Sequence, residues 1–299
     1  MEKEELLLIH GTEYKEMTKE ILYAAGLEAQ IGARDKKIGI KPNLVAPSEA
    51  FLGATTHPEI VAGIIEYLQE AGFQNISIDL IYGLPGETKE RWVNDLRQAI
   101  RLDVEHISAY HLTYEEDTPI YNMLKQHQIE EVDEDSSLQF FTLLIEHLQN
   151  AGYEHYEISN FCRPGKYSRH NTSYWRGIPY LGCGPSAHSF NGTTREWNVS
   201  SIDLYIKGIE RNQRDFETEN LDQTTRYNEF IITTIRTVWG TPIEKLKQEF
   251  GNELWEYCRK MAKPYLESRK LEEHNGTLRL TREGIFISDS IISDLLWVD

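Results

Sequence analysis

The run RHNTSYW brings together His170, Asn171, Tyr174 and Trp175, an imidazole and an amide beside two large aromatic rings. Such a set suits a flat, apolar, iron-bearing ligand, because an imidazole nitrogen can ligate the metal while the rings stack on the ligand plane. A histidine held by a structural hydrogen bond is the competing reading. The second chemical candidate is Asp79, the lone acid in the apolar run ISIDLIY. Its carboxylate must face a polar site or find donors that offset burial. Lys41, Asn43 and His111 lie at the expected carboxyl ends of strands, where parallel α/β folds bind ligands, and could hold a polar or anionic one. Their stretches, KPN among them, also read as plain turn chemistry. In LGCGPSAHSF, Gly182, Gly184 and His188 indicate either close backbone approach to a ligand or tight packing. Neither a Ser-His-Asp order nor a phosphate-binding GxxxxGK[ST] pattern occurs.

The elements that must position these residues alternate over the first 110 positions. Short apolar runs at LLLIH (6 to 10), KIGI (37 to 40), ISIDLIY (76 to 82) and HISAYHL (106 to 112) predict strands. Helical patterns near 14 to 26, 57 to 71 and 88 to 101 separate them. This order predicts an α/β fold with a parallel sheet, open or a partial β/α barrel. Thr56 with Glu59 reads as a capping box, and Phe141, Leu144, Ile145 and Leu148 as the apolar face of another helix ending at Gly152. From Tyr153 to Asn198 the chain turns aromatic and glycine-rich without clear periodicity, a composition that suits an ordered functional loop region or a set of capping strands. Beyond a helix near 201 to 212 and the polar linker RDFETENLDQTT, helices near 222 to 238, 242 to 249 and 252 to 269, a ribbon around NGTLRL and a helix near 282 to 296 predict a winged-helix-like appendage.

The chain has 299 residues, enough for a main domain and a smaller one. Its 48 acids against 31 bases give a formal charge of −17, which disfavours nucleic acid and anionic membranes as partners. No run approaches the ~20 apolar residues of a membrane helix, and the N-terminus does not read as a signal peptide. Cys162, Cys183 and Cys258 are few and widely spaced, which fits reduced thiols in a cytoplasmic protein.

From about Ala71 to Asp299 the sequence resembles the HemW family, heme chaperones related to oxygen-independent coproporphyrinogen III oxidase in the radical S-adenosylmethionine superfamily. The resemblance rests on NISIDLIYGLPGET, EHISAYHLTYEEDTPIY, AGYEHYEISNF, RHNTSYW, YLGCGPSAHSF and LTREGIFISDSIISDLL. It implies that His170 is the heme-iron ligand with Asn171, Tyr174 and Trp175 around it, and that heme or a porphyrin is the ligand and a heme-acceptor protein the partner. It further implies that Asp79, Tyr110 and His188 lie where relatives hold S-adenosyl-L-methionine. Residues 1 to 73 instead resemble an uncharacterised family often joined to ferredoxin-type domains, through LLLIHGTEYKEMTKE, KIGIKPNLV and ATTHPEIVAGIIEYLQEAGF. The domains expected are therefore 1–73, 74–215 and 216–299, with the two likenesses meeting at AGFQNISID.

The family's CxxxCxxC, which holds a [4Fe-4S] cluster, is not in this sequence. Radical cleavage of S-adenosylmethionine needs three thiolates converging on one cluster, so the cluster is not expected from this chain. Three functions stay open: a heme-binding and heme-trafficking protein without radical activity, an enzyme of porphyrin metabolism that binds S-adenosylmethionine or another anionic ligand, and an inert hybrid of two families.

Overall fold

A computed structural model describes residues 7–32, 39 and 56–298. The chain forms two compact units, Met1–Gly152 and Tyr153–Asp299.

In the first unit, α1 (Tyr14–Ala24), α2 (Leu27–Ile31) and α3 (Pro58–Glu70) precede the parallel strands β1 (Ser77–Tyr82) and β2 (His106–His111), which flank α4 (Lys89–Arg101). Helices α5 (Pro119–Lys125) and α6 (Glu134–Asn150) follow. Residues 7–10 of LLLIH form no strand, and Leu8 is 85% exposed. An apolar run alone does not supply the neighbour that a ladder needs. KIGI lies outside the described residues apart from Gly39. The cap of α3 is His57 rather than Thr56: its Nδ1 accepts from the Glu59 amide at 3.3 Å, and Pro58 at the first helical position fixes the start.

Alternation splits the β1–β2 pair into two faces. Tyr82 stacks on Trp92 of α4 at 5.1 Å, and His111 Nε2 pairs with Ser137 Oγ of α6 at 3.0 Å, so the Ile78, Leu80 and Tyr82 side packs on helices. Trp92 also donates its Nε1–H to the Phe140 carbonyl at 2.9 Å, tying α4 to α6. Phe140, not Phe141, completes the buried stripe with Leu144, Ile145 and Leu148. Each fully buried side chain of this kind stabilises the fold by roughly 1.5–3 kcal/mol. At the end of β1, Gly83 is required by close approach: a Cβ there would meet His111 Nε2 at 2.6 Å. Glu87 then accepts from the amides of Gly83 and Leu84 at 2.6 and 3.1 Å, which closes the GLPGET turn.

The second unit opens with a hairpin of β3 (Glu154–Glu157) and β4 (Asn160–Cys162), followed by the short helix α7 (Arg169–Trp175). Strands β5 (His188–Phe190), β6 (Thr194–Asn198) and β7 (Phe216–Asn220) make an antiparallel sheet, with α8 (Ile202–Glu210) between the last two. The linker expected at RDFETENLDQTT therefore contains a strand. All five residues of β7 are exposed, so no apolar alternation marks it, and its backbone ladder to β6 specifies it instead.

The C-terminal part is α9 (Gln223–Ile235), β8 (Thr241–Pro242), α10 (Ile243–Glu267), β9 (Leu271–His274), β10 (Thr277–Leu280), α11 (Arg282–Ile285) and α12 (Ser288–Leu295). α10 breaks at Gly251, as the two separate helical patterns predict. Helices α9, α10 and α12 enclose Tyr227, Ile231, Leu246, Cys258 and Ile291 beside the small sheet β8-β10-β9, the expected winged-helix-like arrangement. The fold is α/β throughout, and the described strands close no barrel.

Candidate functional site

Helix α7 carries RHNTSYW, and its two faces do different work. Ser168 caps it by accepting from the Asn171 amide at 3.3 Å. Asn171 and Trp175, one turn apart, face a buried polar network. The Asn171 Nδ2 donates to Asn160 Oδ1 at 3.2 Å, and Asn160 Nδ2 donates in turn to Glu157 Oε2. That same oxygen accepts from the Ser159 amide at 3.0 Å, while Glu157 Oε1 accepts from Arg236 Nε at 2.6 Å. The Arg236 guanidinium lies 4.7 Å over the Trp175 ring. Glu157 is 2% exposed, so its charge is held in the interior only because three donors, one of them the Arg236 guanidinium, satisfy it.

His170 and Tyr174 occupy the other face, also one turn apart, and both are exposed. The His170 ring meets Tyr174 edge-on at 5.0 Å and makes no hydrogen bond among the described residues. Tyr174 meets Tyr180 at 4.9 Å, and Tyr180 neighbours Phe190 at 6.0 Å. Tyr174, Tyr180 and Phe190 line a cleft of about 870 Å³ together with residues of α9 and the start of α10. Of the four residues predicted from RHNTSYW, Tyr174 and Trp175 line the cleft, His170 stands one ring outside it, and Asn171 braces the helix from behind.

The glycines of LGCGPSAHSF follow the packing alternative. A Cβ on Gly182 would lie 2.1 Å from the His188 carbonyl oxygen. Asn198 Nδ2 donates to the carbonyl of Gly184 at 2.9 Å, and the Gly184 amide donates to Tyr205 Oη at the same distance. His188 is exposed and neighbours Trp197, its partner across β5–β6, at 5.9 Å.

In the first unit, Asp79 and Tyr110 share the strand face turned away from α4 and α6. Asp79 is exposed and makes no hydrogen bond among the described residues, so the expected burial cost does not arise. The same face holds Ser77, His106 and Ser108, with Ser77 Oγ 2.8 Å from His106 Nδ1. Burial holds the His106 pKa below the usual imidazole range, against the opposing pull of Asp79. The alternation within HISAYH was the available signal for this polar row, as was the acid in AGYEHYEISNF for Glu157. Lys41 and Asn43 lie outside the described residues.

The cysteines do not suit a cluster. Cys162 and Cys258 are buried, and desolvation pushes their thiols up to about 12 and about 11, while Cys183 is exposed. Buried protonated thiols in different elements are not the converging thiolate set that a [4Fe-4S] cluster needs.

The HemN C-terminal domain matches residues 221–287, and a domain of unknown function (DUF362) matches residues 38–91. The second match runs past the junction expected at AGFQNISID. The heme chaperone HemW of Mycobacterium tuberculosis is 32% identical over 228 residues, which cover 75% of this chain and 56% of that protein. HemW of Bacillus subtilis is 28% identical over 232 residues, covering 77% and 61%. The chain thus spans less than two thirds of the length of these relatives. Among solved structures, coproporphyrinogen III oxidase (HemN) from Escherichia coli, described as a radical SAM enzyme, superposes with a TM-score of 0.65 at 17% identity, covering 81% of this chain and 59% of that one. About three quarters of the chain is accordingly similar to the heme chaperone HemW, and residues 221–287 match the HemN C-terminal domain.

Proposed function

We propose that the chain binds heme through the α7 region and passes it to an acceptor protein, without radical activity of its own. The observation that carries this reading is the state of His170. A structural histidine has a hydrogen-bond partner, whereas His170 is exposed, has none among the described residues, and sits on a helix pinned from behind by Asn171 and Trp175. Its imidazole is available to ligate iron while Tyr174 offers a ring beside it. The similarity to heme chaperones supports the same ligand. No described helix is long and apolar enough to cross a membrane. Titration of the purified protein with hemin is expected to give a shifted Soret band that is lost in His170→Ala. Identical spectra for both proteins would end the proposal.

The polar row of Ser77, Asp79, His106, Ser108 and Tyr110 favours a second reading, a site on the first unit for S-adenosylmethionine. Calorimetry with S-adenosylmethionine tests it, with heat expected for the wild type and none for Asp79→Asn. An absence of heat in both eliminates it, and silence in both titrations leaves an inert hybrid of two families.

A further inference from the structure

The cleft beside α7 has a charge opposite to that of the chain. Its lining holds four cations, Arg176, Arg195, Arg226 and Lys245, against two carboxylates, Glu229 and Glu249, an excess of two positive charges in a protein of net charge −17. Arg195 is committed to Glu229 at 2.6 Å, and Arg176 lies over Trp239 at 5.2 Å. Arg226 is different: it is half-buried, lies 5.8 Å over the Phe250 ring and has no carboxylate partner among the described residues. Lys245 lies 5.3 Å over the Phe230 ring, and its contact with Glu249 is long, at 3.7 Å between exposed side chains. Phe230 and Phe250 are themselves neighbours at 5.3 Å, so the two available cations stand over adjoining rings.

The same cleft is lined by Tyr174, Tyr180 and Phe190, ring against ring. The space of about 870 Å³ is near the upper end of the roughly 300–1,000 Å³ typical of small-molecule sites. Two groups of lining rings suit a flat ligand. A guanidinium and an ammonium without strong partners select acids on that ligand, the guanidinium through a bidentate pair.

We infer that this cleft is a binding site for a planar aromatic dicarboxylate, with Arg226 and Lys245 holding its two acid groups and the lining rings holding its plane. The site needs no metal. The choice of a porphyrin as that ligand rests on the heme reading above, but the carboxylate requirement does not depend on His170.

The experiment uses metal-free protoporphyrin IX and its dimethyl ester, followed by porphyrin fluorescence on the full chain. The free acid is expected to bind at least tenfold more tightly than the ester. In Arg226→Gln/Lys245→Gln the acid is expected to lose its tenfold advantage over the ester. Equal binding of acid and ester to the wild type overturns the inference, as does undiminished binding of the acid by the double variant. Because the first comparison needs only wild-type protein, misfolding of a variant cannot shelter the inference. A His170-dependent Soret shift with equal acid and ester binding would refute the cleft alone, and an acid preference without any Soret shift would refute the iron reading alone.

Discussion

Glu157→Gln is the substitution that should disconnect the site from its support. Glu157 Oε2 accepts from the Ser159 amide and Asn160 Nδ2, and Oε1 accepts from Arg236 Nε. Whichever end of a glutamine carried the amide nitrogen, it would meet a donor. Breaking one partner out of a buried pair costs about 3–5 kcal/mol when the survivor stays buried. The Glu157 side chain is 1% exposed but that of Arg236 is 27% exposed and can recover some hydration, so a loss of roughly 2–3 kcal/mol is expected. Urea unfolding followed by tryptophan fluorescence measures it, in a double-mutant cycle with Arg236→Ala. Asn160 would lose the partner that orients its amide, and Asn171 the fixed acceptor behind α7. If about 1.4 kcal/mol of the loss falls on the placement of α7, hemin affinity drops about tenfold. A stability change below about 0.5 kcal/mol together with unchanged hemin affinity would refute the bracing role.

Gly182→Ala forces a Cβ against the His188 carbonyl at 2.1 Å, and overpacking against backbone is expected to cost about 3 kcal/mol in chemical denaturation; a neutral outcome would show that the 181–190 segment yields. Burial lowers the pKa values of His106 and His155 in the folded chain, so the unfolded chain binds more protons below the ordinary value of 6.5. Stability from these two is complete above that value and is lost as pH falls through it toward the folded pKa values, by at most ~1.4 kcal/mol per pH unit for each group. Acid unfolding curves check the sign, and a stability that rises below pH 6.5 would contradict it. A disulfide reagent at neutral pH should modify Cys183 rapidly and reach Cys162 and Cys258 only in denaturant; rapid reaction of all three thiols would contradict their burial.

What could be read from the sequence follows from what kind of signal each element leaves. β1, β2, α3, α4 and α6 carry periodic apolar positions, and the helices among them also carry capping residues, so type and approximate limits were legible. β7 was hidden because FETEN is exposed on both sides and owes its state to pairing with β6. LLLIH misled for the opposite reason, since hydrophobicity does not guarantee a ladder. At the site, the residue types of RHNTSYW announced ring chemistry, but the sequence did not say that an (i, i+4) split would send His170 and Tyr174 outward and Asn171 to the bracing side, with Trp175 touching both Arg236 and the cleft. Glu157 and Arg236 are 79 positions apart, and the network they anchor exists only in three dimensions. The cations of the cleft were equally silent, because Arg226 and Lys245 come from different helices and no local motif joins them.

The most direct test of the central claim is magnetic circular dichroism of the one-to-one hemin complex, which identifies the axial ligand of the iron. The account predicts an imidazole signature in the wild type that disappears in His170→Ala while the fold, monitored by far-ultraviolet circular dichroism, is unchanged. An imidazole signature that persists in His170→Ala, or its absence from the wild type, would contradict it.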